Sequence, residues 1–169
     1  MILVEADVSE EWDSSTDWPG LIEGAAGAAV SQSRHATLAQ VDAEISVKLT
    51  NDDEVHALNR EWRGKDTPTN VLSFPMIDPA FLRSATTGDI ELLLGDIVVA
   101  HGVCAREAKE RGIPVADHAA HLIVHGTLHL LGYDHEAGEA EAEEMEAVER
   151  RALAAIGIAD PYALPHYQD

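Results

Sequence analysis

Apolar and polar residues alternate strictly from Ala43 to Leu49 (Ala-Glu-Ile-Ser-Val-Lys-Leu), the period-two pattern of a half-buried strand. Ile2 to Ala6 alternates enough to predict a second short strand, and Val71 to Phe74 a third, stopped by Pro75. Leu92 to Ala100 is instead almost continuously apolar, the look of a central strand covered on both faces. Between these runs the period lengthens. Pro19 suits the first turn of a helix that runs through an alanine-rich stretch to about Ser33. Asn51 is a predicted N-cap, with Glu54 completing a capping box in kind and Val55, Leu58 and Trp62 on one face. Gly102 to Arg111 reads as a helix broken by Gly112-Ile-Pro114, Val115 to Leu131 as a long helix, and Glu139 to Ile156 as a final acidic one. Glu10 to Thr16, Gly64 to Asn70 and Asp78 to Gly88 are predicted loops, and the tail after Asp160-Pro161 a loose end. The pattern predicts an α+β fold: one domain over residues 1–169, with a small mixed four-stranded sheet covered by about five helices.

The long helix carries the candidate chemistry. In His125-Gly-Thr-Leu-His129-Leu-Leu-Gly132-Tyr-Asp134-His135, the first two histidines are four apart and share a helix face. Gly132 is placed to end the helix in a left-handed cap, which would bring His135 round to complete a set of three. Three imidazoles leave one zinc position open, the mark of a catalytic rather than a structural site, although nickel, copper or iron would also accept them. The spacing is that of H-E-x-x-H-x-x-G-x-x-H zinc proteases, except that Gly126 stands where those enzymes carry their general base. The chain keeps a metal cradle and lacks the peptidase base, so the chemistry falls to the metal or to a base brought from elsewhere. His118 and His121 continue the stripe, but His118 is about 10 Å along the axis from His125. The two cannot share one ion, and His118 and His121 are expected to be core, supporting or pocket-wall residues. Asp134 is a candidate acceptor orienting a ligand imidazole, a substitute base, or simply a cap.

Composition narrows the setting. The net charge of −20 repels free nucleic acid at long range and suits solubility or basic protein partners. Three basic groups survive in this acidic body: Arg60, Arg63 and Lys65; Arg106, Lys109 and Arg111; Arg150 and Arg151. The lone Cys104 cannot form an internal disulfide and is expected to be a small buried hydrophobe in a reducing compartment. No apolar run approaches a membrane span and the first residues lack a basic region, so the chain is expected to be cytoplasmic.

The segment Leu58-Asn-Arg-Glu-Trp-Arg63-Gly-Lys-Asp-Thr-Pro-Thr-Asn-Val-Leu-Ser-Phe-Pro75 is dense in polar and turn-forming residues. An arginine there suits phosphate, because its planar fork gives bidentate hydrogen bonds and keeps its charge, whereas an arginine closing a helix is commonly only a dipole partner. Arg63 to Pro75 and His125 to His135 together resemble the YbeY family of single-strand-specific endoribonucleases, the bacterial rRNA maturation factors. Leu94-Gly95-Asp96-Ile97 is similar to that family's strand before the helices, and the resemblance covers roughly residues 45 to 160. It implies that His125, His129 and His135 hold one Zn2+, that Arg63 is functionally important, and that Arg63 and His125 serve catalysis. It implies cleavage of single-stranded rRNA in 3′-end maturation of small-subunit (16S) rRNA and in ribosome quality control. The implied partners are the small ribosomal subunit, a small-subunit ribosomal protein and an assembly GTPase, with no membrane. Two other readings remain open on the residues: a metal-dependent hydrolase of another bond, such as a peptide, and a non-enzymatic zinc-binding assembly factor.

Overall fold

A computed structural model describes residues 2–82 and 91–163. The chain orders as β1 (Ile2–Val8), α1 (Trp18–Gln32), a 3-10 turn (Ala36–Gln40), β2 (Asp42–Thr50), α2 (Asp52–Arg63), β3 (Val71–Pro75) and α3 (Pro79–Leu82). It continues through β4 (Glu91–Ala100), α4 (His101–Arg111), α5 (Val115–Leu130), α6 (Glu139–Ala155) and a 3-10 turn (Pro161–Ala163). The strands form one sheet in the order β1-β2-β4-β3. β1, β2 and β4 run parallel and β3 runs antiparallel against β4, so the sheet is mixed as expected.

The main core lies between one sheet face and α1, α5 and α6. β2 sends Ala43, Ile45, Val47 and Leu49 into it, as its alternation requires. α5 is buried along most of its length, and Ile123, Leu128 and Leu130 are fully enclosed. Each such side chain contributes about 1.5–3 kcal/mol through removal from water. Two glycines let α5 approach the sheet. A Cβ on Gly126 would lie 3.1 Å from Ile97 Cγ2, so this position is a packing contact as well as a missing base. Gly95 has φ +145°, and a Cβ there would sit 2.3 Å from the Phe74 carbonyl oxygen and 2.8 Å from Leu130 Cδ2. It lies where the β2–β4 register shifts.

The other sheet face is only partly covered. α2 packs on β3 and β4, and Val55, Leu72, Val98, Ala100 and Val103 form a second small cluster there. Trp62 shares the face of Val55 and Leu58 as expected, and it is 67% exposed. The helix overhangs an open groove lined by Phe74, Asp96 and Val98, and none of the described residues closes over the ring. The capping box is also half-realised. Asn51 Oδ1 accepts from the Glu54 backbone N–H at 2.9 Å, but the Glu54 carboxylate takes Lys48 Nζ (2.8 Å) and Thr50 Oγ1 (2.6 Å) instead of reaching back. In the expected loop from Asp78, residues 79–82 form the short α3, and the rest lies outside the described residues. The segment expected to be loose after Asp160 is held at 161–163, where Tyr162 is bonded into the interior. Cys104 is buried as expected, and burial pushes its thiol up to about 12. Among the described residues no helix is long and apolar enough to cross a membrane.

Candidate metal centre and nucleic-acid cleft

The histidine helix α5 ends at Leu130, and Gly132 takes the left-handed conformation (φ 95°) that turns the chain back. Tyr133 then pins the turn. Its buried hydroxyl accepts from the Arg34 backbone N–H at 2.9 Å, and the Arg34 guanidinium lies 4.0 Å from its ring centroid. His135 is thereby returned to the helix face. His125, His129 and His135 each offer one ligand atom, all within 4.8 Å of one another.

The hydrogen bonds behind these rings decide their tautomers. His129 Nδ1 faces the Tyr133 carbonyl oxygen at 2.8 Å, and a carbonyl only accepts, so Nδ1 carries the proton. His125 Nδ1 faces Glu149 Oε1 at 2.7 Å. Burial pushes the Glu149 carboxyl up, but the hydrogen bonds from His121 and His125 more than offset it and hold the group well below the ordinary carboxylate range. Ionised Glu149 also only accepts. Both rings therefore present bare Nε2 atoms, and these face each other at 3.0 Å. Two lone pairs at that distance repel unless a cation or proton lies between them. A further proton is disfavoured on His129, because burial and then the neighbouring His125 and His135 lower its pKa to about 4. His135 Nδ1 is buried and has no hydrogen-bond partner among the described residues. Nitrogens bound at about 2.0–2.1 Å to one tetrahedral zinc lie about 3.3 Å apart, so this donor set fits a metal ion.

The remaining helix histidines lie outside the three-histidine group and bond to carboxylates. His121 Nε2 meets Glu149 Oε2 at 2.8 Å, and His118 Nε2 meets Glu107 Oε1 at 2.8 Å. Burial, joined by the Arg111 and His121 charges, lowers the His118 pKa despite Glu107. Asp134 is not the imidazole acceptor: it is exposed and accepts from the Glu136 backbone N–H at 2.9 Å, a local turn contact. The acceptors behind the His129 and His125 rings are Tyr133 O and Glu149, and the sequence pattern points to neither. Glu149 left a signal all the same. It sits on the apolar stripe of α6 with Met145, Val148, Ala152 and Leu153, where a lone carboxylate demands buried partners.

The three histidines floor a cleft of about 710 Å³. Arg63, Lys65, Asn70, Glu107, Arg111 and Asp134 also line it, so two of the three basic groups contribute to this one place. Arg63 closes α2 ahead of left-handed Gly64 (φ 67°), and its side chain is exposed with no ion pair among the described residues. Arg60 pairs instead with Asp66 (3.8 Å), and Arg150 with Asp160 (3.3 Å). The loop after Arg63 is tied down by buried Asn59, whose Nδ2 donates to the Thr67 carbonyl at 2.9 Å. At the loop's end Asn70 Nδ2 donates to Glu107 Oε1 at 3.0 Å. Glu107 in turn holds His118, so the arginine loop and the histidine helix are joined through one carboxylate.

The match to known proteins runs through the same segments. The family model described as Endoribonuclease YbeY matches residues 11–157. A Novosphingobium aromaticivorans protein named Endoribonuclease YbeY is 53% identical over 163 residues, covering 96% of each chain. A protein of that name from Rhizorhabdus wittichii is 54% identical over 167 residues, covering 97% of this chain and 98% of its own. Among solved structures, the solution structure of TM1509 from Thermotoga maritima matches with a TM-score of 0.53 and 24% identity, covering 92% of this chain and 91% of that one, a likeness of fold. With the family model spanning most of its length, the chain belongs to the YbeY endoribonuclease family.

Proposed function

We propose that this chain, acting as one functional domain, is a single-strand-specific endoribonuclease that uses one zinc ion held by His125, His129 and His135. We assign it to 3′-end maturation of small-subunit (16S) rRNA and to ribosome quality control, in the cytoplasm. One observation carries the reading: Arg63 and Lys65 line the same cleft as three histidines whose ring nitrogens converge, with those of His125 and His129 facing each other bare. The family relatives' shared name supports the RNA substrate.

When bound, zinc supplies Lewis acidity toward the reacting phosphodiester. The chain's own residues do the rest. Arg63 grips the non-bridging oxygens and stabilises the charge that grows on them in the transition state, where a fixed guanidinium is worth most. Lys65 adds a second positive charge to the cleft wall. His125 serves catalysis through its lone pair, fixed in direction by its proton on Glu149. Gly126 offers no base, so proton removal from the nucleophile does not use that position. The nucleophile is either water or the RNA's own 2′-hydroxyl, and a 2′,3′-cyclic phosphate product would exclude direct attack by water. The net charge of −20 favours delivery by basic partners, namely a small-subunit ribosomal protein on the small ribosomal subunit, together with an assembly GTPase.

The test is cleavage of single-stranded RNA from the 3′ region of precursor small-subunit rRNA, against the same sequence in duplex. The enzyme is used as purified, stripped by chelator, and restored with zinc. Cleavage of the single strand alone, lost on stripping and regained with zinc, is the expected result. The same acidic charge favours a second reading, a non-enzymatic assembly factor. That reading takes over if folded, zinc-loaded protein cuts neither substrate yet binds small-subunit particles.

A further inference from the structure

Glu149 is 0% exposed and makes three side-chain hydrogen bonds. Its Oε1 accepts from His125 Nδ1 at 2.7 Å, and its Oε2 accepts from His121 Nε2 at 2.8 Å and from the Tyr162 hydroxyl. Tyr162 belongs to the 3-10 turn that follows α6. Its ring stands edge-on to His121, with centroids 5.7 Å apart at 81°. The turn is fastened from outside as well. Asp160 accepts from the Tyr162 backbone N–H at 2.8 Å and pairs with Arg150 Nε at 3.3 Å, and the Arg150 guanidinium lies 5.2 Å from the Tyr162 ring centroid.

We propose that Glu149 is a positioning residue for the metal ligand His125, and that Tyr162 extends its control to the segment that follows α6. The geometry gives the mechanism. A carboxylate held by one oxygen still rotates about its last bond. Here His121 and Tyr162 fix Oε2, so Oε1 has one location, and the His125 N–H that points at it has one direction. His125 Nε2 is then aimed into the histidine cluster. Glu149 puts a side-chain carboxylate behind His125, whereas His129 leans on a backbone carbonyl. A carboxylate behind a ligand imidazole also raises its basicity toward a metal. The tie reaches from α5 through α6 to residue 162, so the seating of the terminal turn and the aim of a metal ligand depend on one another.

This inference rests on reading the histidines as metal ligands, and the experiment separates the two. Zinc affinity is measured by competition with a chelator, and the visible absorption spectrum of the cobalt-loaded protein is recorded. The thermal midpoint of the metal-free protein is measured alongside. Wild type, Glu149→Gln and Tyr162→Phe are compared. Glutamine is isosteric, but its amide presents a donor to one of the groups that now donate to Glu149. Glu149→Gln is expected to weaken zinc binding by about 10–100-fold and to change the cobalt spectrum. Tyr162→Phe is expected to do the same to a smaller degree, and it decides the matter if Glu149→Gln does not fold. Unchanged zinc affinity and cobalt spectrum in the folded variants, with only the metal-free midpoint lowered, would make Glu149 a structural residue and overturn the proposal. Wild type that binds neither metal would overturn the ligand reading, and this inference with it.

Discussion

The two walls of the cleft are built in opposite ways. On one wall, His118, His121, His125 and His129 stand on a helix that is buried along most of its length, and carboxylates or a carbonyl hold their rings. On the other, Arg63 ends a short amphipathic helix, exposed and without an acidic partner among the described residues. The first wall is fixed before any ligand arrives, because converging lone pairs have to be held against their own repulsion. The second leaves its charge without a counter-ion among the described residues, as the proposed grip on a phosphate requires. In a chain of net charge −20, leaving an arginine unpaired takes more explaining than pairing it. Asn70, Glu107 and His118 join the walls, so the loop that follows Arg63 is anchored to the histidine helix.

The largest effect expected comes from emptying the first wall. Stripping the metal, or replacing His129 with alanine, should lower RNA cleavage by at least about 10³-fold, because Lewis-acid stabilisation worth several kcal/mol is lost. Metal analysis of the same samples checks that the loss follows the ion. Arg63→Ala should cost about 10²–10³-fold in kcat with metal content unchanged. Arg63→Lys should recover only part of this, because a point charge replaces a fork. Equal losses of metal in the His129 and Arg63 variants would break the distinction between the walls.

Gly95→Ala tests what holds the first wall in place. The new Cβ would press on the Phe74 carbonyl and Leu130 from a strained backbone. Destabilisation of about 3 kcal/mol, a roughly 10²-fold change in the folding equilibrium, is expected from chemical denaturation. A wild-type midpoint would show that the sheet yields there. The smallest effect belongs to Lys65→Ala, a few-fold rise in KM that shrinks as salt is raised, since an exposed charge on RNA is screened. A salt-independent loss would place Lys65 closer to the chemistry than its wall implies.

The same contrast governs how much the sequence reveals. The histidine spacing, Gly132 and the strand alternation are local patterns, and the fold carries them out almost residue for residue. Arg63 stands out as a candidate through the turn-rich segment around it and the family resemblance, since a helix-terminal arginine alone is ambiguous. What escapes is the support. Glu149 lies 24 residues beyond His125 on a glutamate-rich helix, and only the stripe it occupies separates it from solvated neighbours. Asp134 shows the reverse: its place in the motif allows an imidazole acceptor, a base or a local cap, and its carboxylate turns outward to a neighbouring backbone N–H. Periodicity places Trp62 on its helix face but does not reveal how far the opposing sheet is covered.

The most direct test of the account is a paired one. Arg63→Ala and His129→Ala are compared with wild type for bound zinc and for cleavage of the single-stranded precursor rRNA, with folding checked in each. The account predicts that Arg63→Ala keeps its zinc and loses cleavage, whereas His129→Ala loses both. Wild-type cleavage by a folded Arg63→Ala protein, or by a zinc-free His129→Ala protein, would contradict it.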